Sequence, residues 1–186
     1  MNLSALYFTA AVVVFLICLG GISWFYYRRS RKTARSDWEQ LLSRLKMVDR
    51  MKIEQVALDA IDASGKPRKD DRAKELSPEQ IWDLTGGLEG LEALEANSRV
   101  LVEMASFVQR WFPDASKTAD ELRLIAREIE WHVGRLRAAA DSGKLEGWFA
   151  NYTQNAAAAY YVMTRRLLVL FETKRVSLLA DVQKAL

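Results

Sequence analysis

The sequence predicts an all-α protein in which a single N-terminal transmembrane helix is followed by a soluble four-helix up-down bundle. The run Leu3–Tyr27 is apolar and uncharged, and a bilayer core of about 30 Å needs roughly 20 such residues in helical form. After residue 36, apolar residues recur mostly at steps of three and four, and no useful stretch alternates with a period of two. We therefore divide the chain into an anchor (1–27), a basic juxtamembrane segment (28–35) and a cytoplasmic helical bundle (36–186).

The end of the anchor has the composition of a membrane interface. Aromatic residues and then cations follow the apolar run, as expected beside the headgroups. The predicted interface residues are Trp24, Tyr26, Tyr27, Arg28, Arg29, Arg31, Lys32 and Arg35. The excess of Lys and Arg on this side predicts a single-pass protein of the cell membrane, with its N-terminus outside and its C-terminal domain cytoplasmic. A cleaved signal peptide is the alternative, but its apolar core would be only about 7–15 residues long and would follow a cation.

Helix-start and helix-stop residues divide the rest of the chain into four helices, at about 37–63, 78–112, 118–141 and 145–184. Ser36 with Glu39, Ser77 with Gln80 and Thr118 with Glu121 have the spacing of capping boxes. The stop signals are Ser64-Gly65-Lys66-Pro67, Pro113 and Ser142-Gly143. Short turns between long helices favour antiparallel neighbours, and a repeat solenoid is a weaker alternative because no repeat of fixed period is visible.

Apolar stripes indicate which side of each helix faces the core. In the first helix the stripe consists of Trp38, Leu41, Leu42, Leu45, Val48, Val56 and Ile61, widened by Met47, Met51 and Ile53. In the third and fourth helices similar rows run from Leu122 to Ala140 and from Trp148 to Leu170. One shared core is therefore expected.

The charge distribution disfavours nucleic acid as a partner. The chain has a formal net charge of +3, from 27 basic and 24 acidic residues. Residues 1–35 hold five of the basic residues and none of the acidic ones, which leaves 22 basic and 24 acidic residues from 36 onward. The bundle is therefore close to neutral, and the excess cations belong beside the anionic headgroups of the lipid bilayer.

No combination of residues predicts a catalytic, cofactor or metal site. The one cysteine, Cys18, lies in the apolar run, so a thiolate cluster is excluded. His132 lies one helical turn after Glu128, but a single histidine cannot build a di-iron or zinc-protease site. Glu92 and Glu95 have the spacing of a carboxylate pair, although a solvated face explains them better. We expect no cofactor and no enzymatic activity.

The glycines at positions 86, 87 and 90 do not form a phosphate-binding loop, because no Lys-Ser or Lys-Thr pair follows them. Gly86 and Gly90 are four residues apart and share a helix face, continued by Ala93 and Asn97. This pattern indicates a close backbone approach or a kink.

One segment near the C-terminus predicts a contact surface. The stretch Leu167–Phe171 is apolar on every face and has basic flanks, which exceeds what one core-facing stripe requires. It could lie at the bundle centre, meet a protein partner or rest on the membrane. The candidate interface residues are Leu168, Val169, Phe171, Lys174 and Arg175.

These features favour a non-catalytic, membrane-anchored interaction or scaffold subunit that binds a protein partner or a second copy of itself. One alternative is a sensor or signal-transducing module, with the anchor helix running straight into the first bundle helix. A second alternative is an enzyme or cofactor carrier that uses His132.

Overall fold

Helices account for all the regular structure in the part of the chain that is described, which confirms the all-α class. The computed structural model describes residues 38–62, 76–143 and 149–174, together with positions 15, 20, 21, 65, 66, 68, 182 and 183. The chain divides into two units, Met1–Gln40 and Leu41–Leu186. In the first unit, the described positions 15, 20, 21 and 38–40 are helical.

The second unit is a helical bundle. Its helices are α1 (Arg50–Ala60), α2 (Pro78–Thr85), α3 (Gly87–Gln109), α4 (Ser116–Asp141) and α5 (Phe149–Thr173), with a short 3₁₀ turn at Pro113–Ala115 between α3 and α4. Helix α2 begins at a capping box, in which Ser77 and Gln80 bond reciprocally. Proline at its first position and Glu79 in its first turn also favour this start.

Polar contacts between the helices show that neighbours run in opposite directions. Arg99 of α3 bonds to Glu130 of α4, whereas Arg137, a turn or two later in α4, bonds back to Glu92. The end of α1 meets the start of α5, since Gln154 donates to the carboxylate of Asp59 at 2.7 Å. Helices α3 and α4, and helices α1 and α5, are therefore antiparallel.

Helix α5 is the centre of the bundle and packs against α1, α2, α3 and α4. Its alanine run is buried, and Ala156 and Ala157 are completely so. Small side chains let the neighbouring helices approach closely, and the larger Met163, Leu167 and Phe171 fill the core beyond the run.

The prediction of one helix over 37–63 is wrong in its middle. Residues 38–43 are helical, 44–49 are not, and α1 begins at residue 50. The backbone N–H and C=O of Lys46, which a helix would have paired, instead bond to the side chain of Asn97 in α3. Asp49 then caps α1 by accepting from the N–H groups of Met51 and Lys52. No continuous helix therefore runs from residue 38 into α1.

The break also moves two predicted core residues to the surface. Met47 is 100% exposed and Met51 is 81% exposed. A continuous helix through residues 44–49 would have placed both methionines on its core-facing side. Because the helix is interrupted there, both methionines face solvent instead.

The prediction of one helix over 78–112 also differs from the structure, because Gly86 separates α2 from α3. Gly86 has a left-handed backbone, with φ of 75°, and ends α2. A Cβ on Gly90 would lie only 1.8 Å from the carbonyl oxygen of Thr85. Gly86 thus ends α2, and Gly90 leaves room for the end of α2 against the first turn of α3. This close backbone contact is one of the two outcomes that the spacing of the glycines indicates.

Two groups of predicted features lie largely or wholly outside the described residues. One is the anchor with its interface residues, and the other is the part of the predicted last helix that follows residue 174. Among the residues that are described, no helix is both long and apolar enough to cross a bilayer.

Candidate functional site

The surface of the bundle carries a groove of about 510 Å³ along the second half of α5. We call it the α5 groove. Its floor is the outer side of α5 from Tyr161 to Thr173, one side is the turn around Gly65, and the other is the start of α4 at Thr118 and Glu121. Both α1 and α4 contact α5, and the groove is lined by α5, the start of α4 and the turn after α1.

A tight turn after α1 forms the first side. The N–H of Gly65 donates to the carbonyl of Asp62, and the N–H of Lys66 donates to the Asp62 carboxylate at 3.0 Å. Gly65 has φ of 80°, a left-handed conformation that favours glycine. A Cβ there would lie 3.4 Å from Val162, so this turn sits directly against the floor.

An ion pair forms the opposite side. Arg166 of α5 donates to the carboxylate of Glu121 in α4 at 2.9 Å. Near the end of the groove, Lys174 pairs with Asp114, and this bond lowers the pKa of the Asp114 carboxyl. The charges of Arg166 and Lys174 are therefore balanced within the bundle.

Arg165 is the cation of the groove without an acidic partner in the described part of the chain. Its guanidinium lies 5.7 Å from the ring centre of Tyr161, in a cation–π contact. The hydroxyl of Tyr161 donates to Glu54 of α1 at 3.0 Å, which holds the ring in place. The contact positions Arg165 along the groove while leaving its N–H groups available to an acceptor.

The candidate interface residues lie in different environments. Val169 lines the groove and is 58% exposed, whereas Leu168 is half-buried. Phe171 is fully buried, so it contributes to the core rather than to a surface. Lys174 is engaged by Asp114, and Arg175 lies outside the described residues.

Sequence reasoning missed Gly65, Glu121 and Tyr161 as parts of one site. They are far apart in the chain and only the packing of α1 and α4 on α5 brings them together. A signal was present on α5, because Val162, Arg165, Val169 and Thr173 recur at steps of three and four on a side opposite its core residues.

His132 is buried against an aromatic cluster. Its ring contacts Trp131 and Tyr152, and its Nδ1 has no hydrogen-bond partner. Burial lowers the pKa of His132. Its Nε2 is 3.9 Å from Glu128, which is too far for a hydrogen bond. Among the described residues, no group of three or more His, Cys, Asp or Glu side chains could hold a metal ion.

Glu92 and Glu95 are both held by arginines. Arg137 bonds to both carboxylates, at 3.0 and 3.2 Å, and Arg99 bonds to Glu95 from the next turn of α3. Carboxylates paired in this way join α3 to α4. The expected solvated face is therefore wrong for Glu95, which is buried, whereas the side chain of Glu92 remains partly exposed.

The fold and the groove define a helical bundle with an elongated surface site lined by apolar side chains, two arginines, one glutamate and hydroxyl groups. No family model, no curated protein and no solved structure matches the chain.

Proposed function

We propose that this protein is a non-catalytic interaction or scaffold subunit, anchored in the cell membrane by residues 3–27, which holds a protein partner in the α5 groove. The observation that carries the proposal is the groove itself, an elongated concavity whose apolar floor includes the exposed Val169. Apolar surface rimmed by polar residues is typical of protein interaction sites and ligand-binding grooves.

The proposed topology is an up-down bundle on the cytoplasmic side of the membrane, tethered by a single-pass anchor. It rests on the uncharged run before Arg28 and on the five cations that follow it. Full-length protein should remain in the membrane pellet after alkaline carbonate extraction and dissolve only in detergent. Release by carbonate would contradict the anchor.

Photocrosslinking tests the partner. A benzoylphenylalanine residue is placed at Val169 in the full-length chain and irradiated in native membranes. The matched control is Leu124, an equally exposed apolar residue on α4 that does not line the groove. We expect a discrete heavier adduct from position 169 and none from position 124.

The protein in the adduct, identified by mass spectrometry, should then bind the purified full-length chain, and Val169→Asp should weaken that binding. An adduct of twice the chain's mass would identify a second copy as the partner. Absence of any adduct at position 169, or equal adducts at both positions, would overturn the proposal.

A further inference from the structure

We propose that the occupant of the α5 groove is an amphipathic helix of a partner protein, about three turns long, with acidic residues beside its apolar stripe. This inference rests on the proposed function and adds the chemistry of the partner. Shape, apolar spacing and charge each contribute to it.

The shape of the groove favours a helix as occupant. The floor from Tyr161 to Thr173 spans twelve steps of an α-helix, or roughly 18 Å at about 1.5 Å per residue. No sheet edge is present in the described part of the chain. An extended peptide would therefore find no strand with which to pair its backbone, whereas a helix satisfies its own hydrogen bonds.

The apolar residues of the floor have the spacing of a helix-packing seam. Val162 and Val169 are seven residues apart and so lie two turns apart on one side of α5. Val162 is half-buried against Ala57, Ile61 and Ala158. Val169 remains 58% exposed in the bundle. A partner helix with apolar residues at i, i+3 and i+7 would lie over Val162 and cover Val169, which removes the exposed surface of Val169 from water.

The charges of the groove select an acidic partner. Arg165 lies between the two valines along α5 and has no acidic partner among the described residues. Arg166 and Glu121 already balance each other. A carboxylate beside the apolar stripe of the partner would meet Arg165 in a charge-assisted bond, whereas a lysine in that place would meet a like charge.

Two synthetic helical peptides test this preference. Both carry the same leucine stripe, and one has glutamate and the other lysine at the flanking positions. Binding to the purified full-length chain in neutral detergent is measured by fluorescence anisotropy. We expect the glutamate peptide to bind about tenfold more tightly, and Arg165→Glu to reverse the preference.

A matched control separates the role of Arg165 from a general charge effect. Arg127 is exposed on α4 and does not line the groove, so Arg127→Glu should leave the preference unchanged. Equal binding of the two peptides, binding of neither, or the same response to both substitutions would overturn the inference.

The Val169 photocrosslink distinguishes this inference from the proposed function. If the adduct in membranes persists unchanged when Arg165→Glu is introduced, the groove binds a protein but acidity does not select it. The crosslinker is also irradiated with the chain in vesicles of phosphatidylcholine and phosphatidylserine. If it labels lipid there and the glutamate peptide does not reduce that labelling, an anionic bilayer is the occupant and the inference fails. No adduct at Val169 under any condition would remove both proposals.

Discussion

At the scale of single residues, Gly90 shows the strictest steric requirement. Its missing side chain leaves room for the carbonyl of Thr85, which a Cβ would approach to 1.8 Å. Because that carbonyl belongs to the backbone, the α2–α3 junction would have to shift. We expect Gly90→Ala to lower the free energy of unfolding by about 2 kcal/mol or more, measured by urea unfolding of the full-length chain in a mild detergent.

Gly134 provides the control for this prediction. It lies inside α4, and a Cβ there would meet nothing within 4 Å. Gly134→Ala should therefore raise the free energy of unfolding by about 1 kcal/mol, through helix propensity alone. Similar effects of the two substitutions would show that the contact with Thr85 is unimportant.

His132 should make the stability of the bundle depend on pH. Burial lowers its pKa in the folded state, so the unfolded chain takes up the proton more readily. In the unfolded chain the pKa of histidine is about 6.5. Above that pH, neutral His132 makes its full contribution to the free energy of unfolding, and the contribution declines as the pH falls below it. Glu128, one helical turn earlier, lies 3.9 Å from Nε2 of His132.

The test is urea unfolding of the native chain and of His132→Gln between pH 8 and pH 5, a range of about 1.5 units on each side of that pKa. The native chain should lose more stability over this range than the variant does. Parallel curves for the two proteins would contradict the assignment.

At the scale of elements, the start of α1 depends on one carboxylate. Asp49 accepts from the N–H groups of Met51 and Lys52, at 3.1 and 3.2 Å. Asp49→Ala should therefore lower the free energy of unfolding by about 1 kcal/mol, and Asp49→Asn, which keeps the acceptor, should cost much less. Thermal unfolding followed by circular dichroism measures both. Equal losses would indicate that charge, rather than capping, is what Asp49 provides.

The same element shows why local sequence patterns were insufficient. The apolar steps through 37–63 are compatible with one helix, although Asp49 is also a residue that favours the start of a new helix. The side chain of Asn97 stabilises the break, because it bonds to the backbone N–H and C=O of Lys46 in place of helical partners. Asn97 lies 51 residues further along the chain, so no local pattern could indicate this contact. In contrast, Ser77, Pro78 and Gln80 act within four residues, so the start of α2 was readable from the sequence.

At the scale of the whole molecule, the alanine run of α5 sets how closely the other helices approach. Ala157 is completely buried in a helix that contacts four others. Ala157→Leu adds a volume that the surrounding helices must accommodate, so we expect a loss of about 1–3 kcal/mol in the free energy of unfolding.

The matched substitution is Ala138→Leu, at an exposed position of α4. It should change stability by no more than about 0.5 kcal/mol. Both are measured by urea unfolding of the full-length chain in detergent. A small effect at Ala157 would mean that the bundle is loosely packed around α5.

The sequence by itself determined the all-α class and the start of α2, because helical periodicity and capping act over a few residues. The spacing of Gly86 and Gly90 indicated a close backbone approach or a kink, and only the structure showed that two helices meet there. It also pointed to the C-terminal part of α5 as a contact surface, through an apolar run wider than one core-facing stripe. Only the tertiary structure decided which of those residues face outward: Val169 lines the groove and Phe171 fills the core. The groove depends on contacts between α1, α4 and α5, as do the Arg166–Glu121 ion pair and the position of Arg165. Packing sets such long-range contacts, and the local spacing of residues does not reveal them.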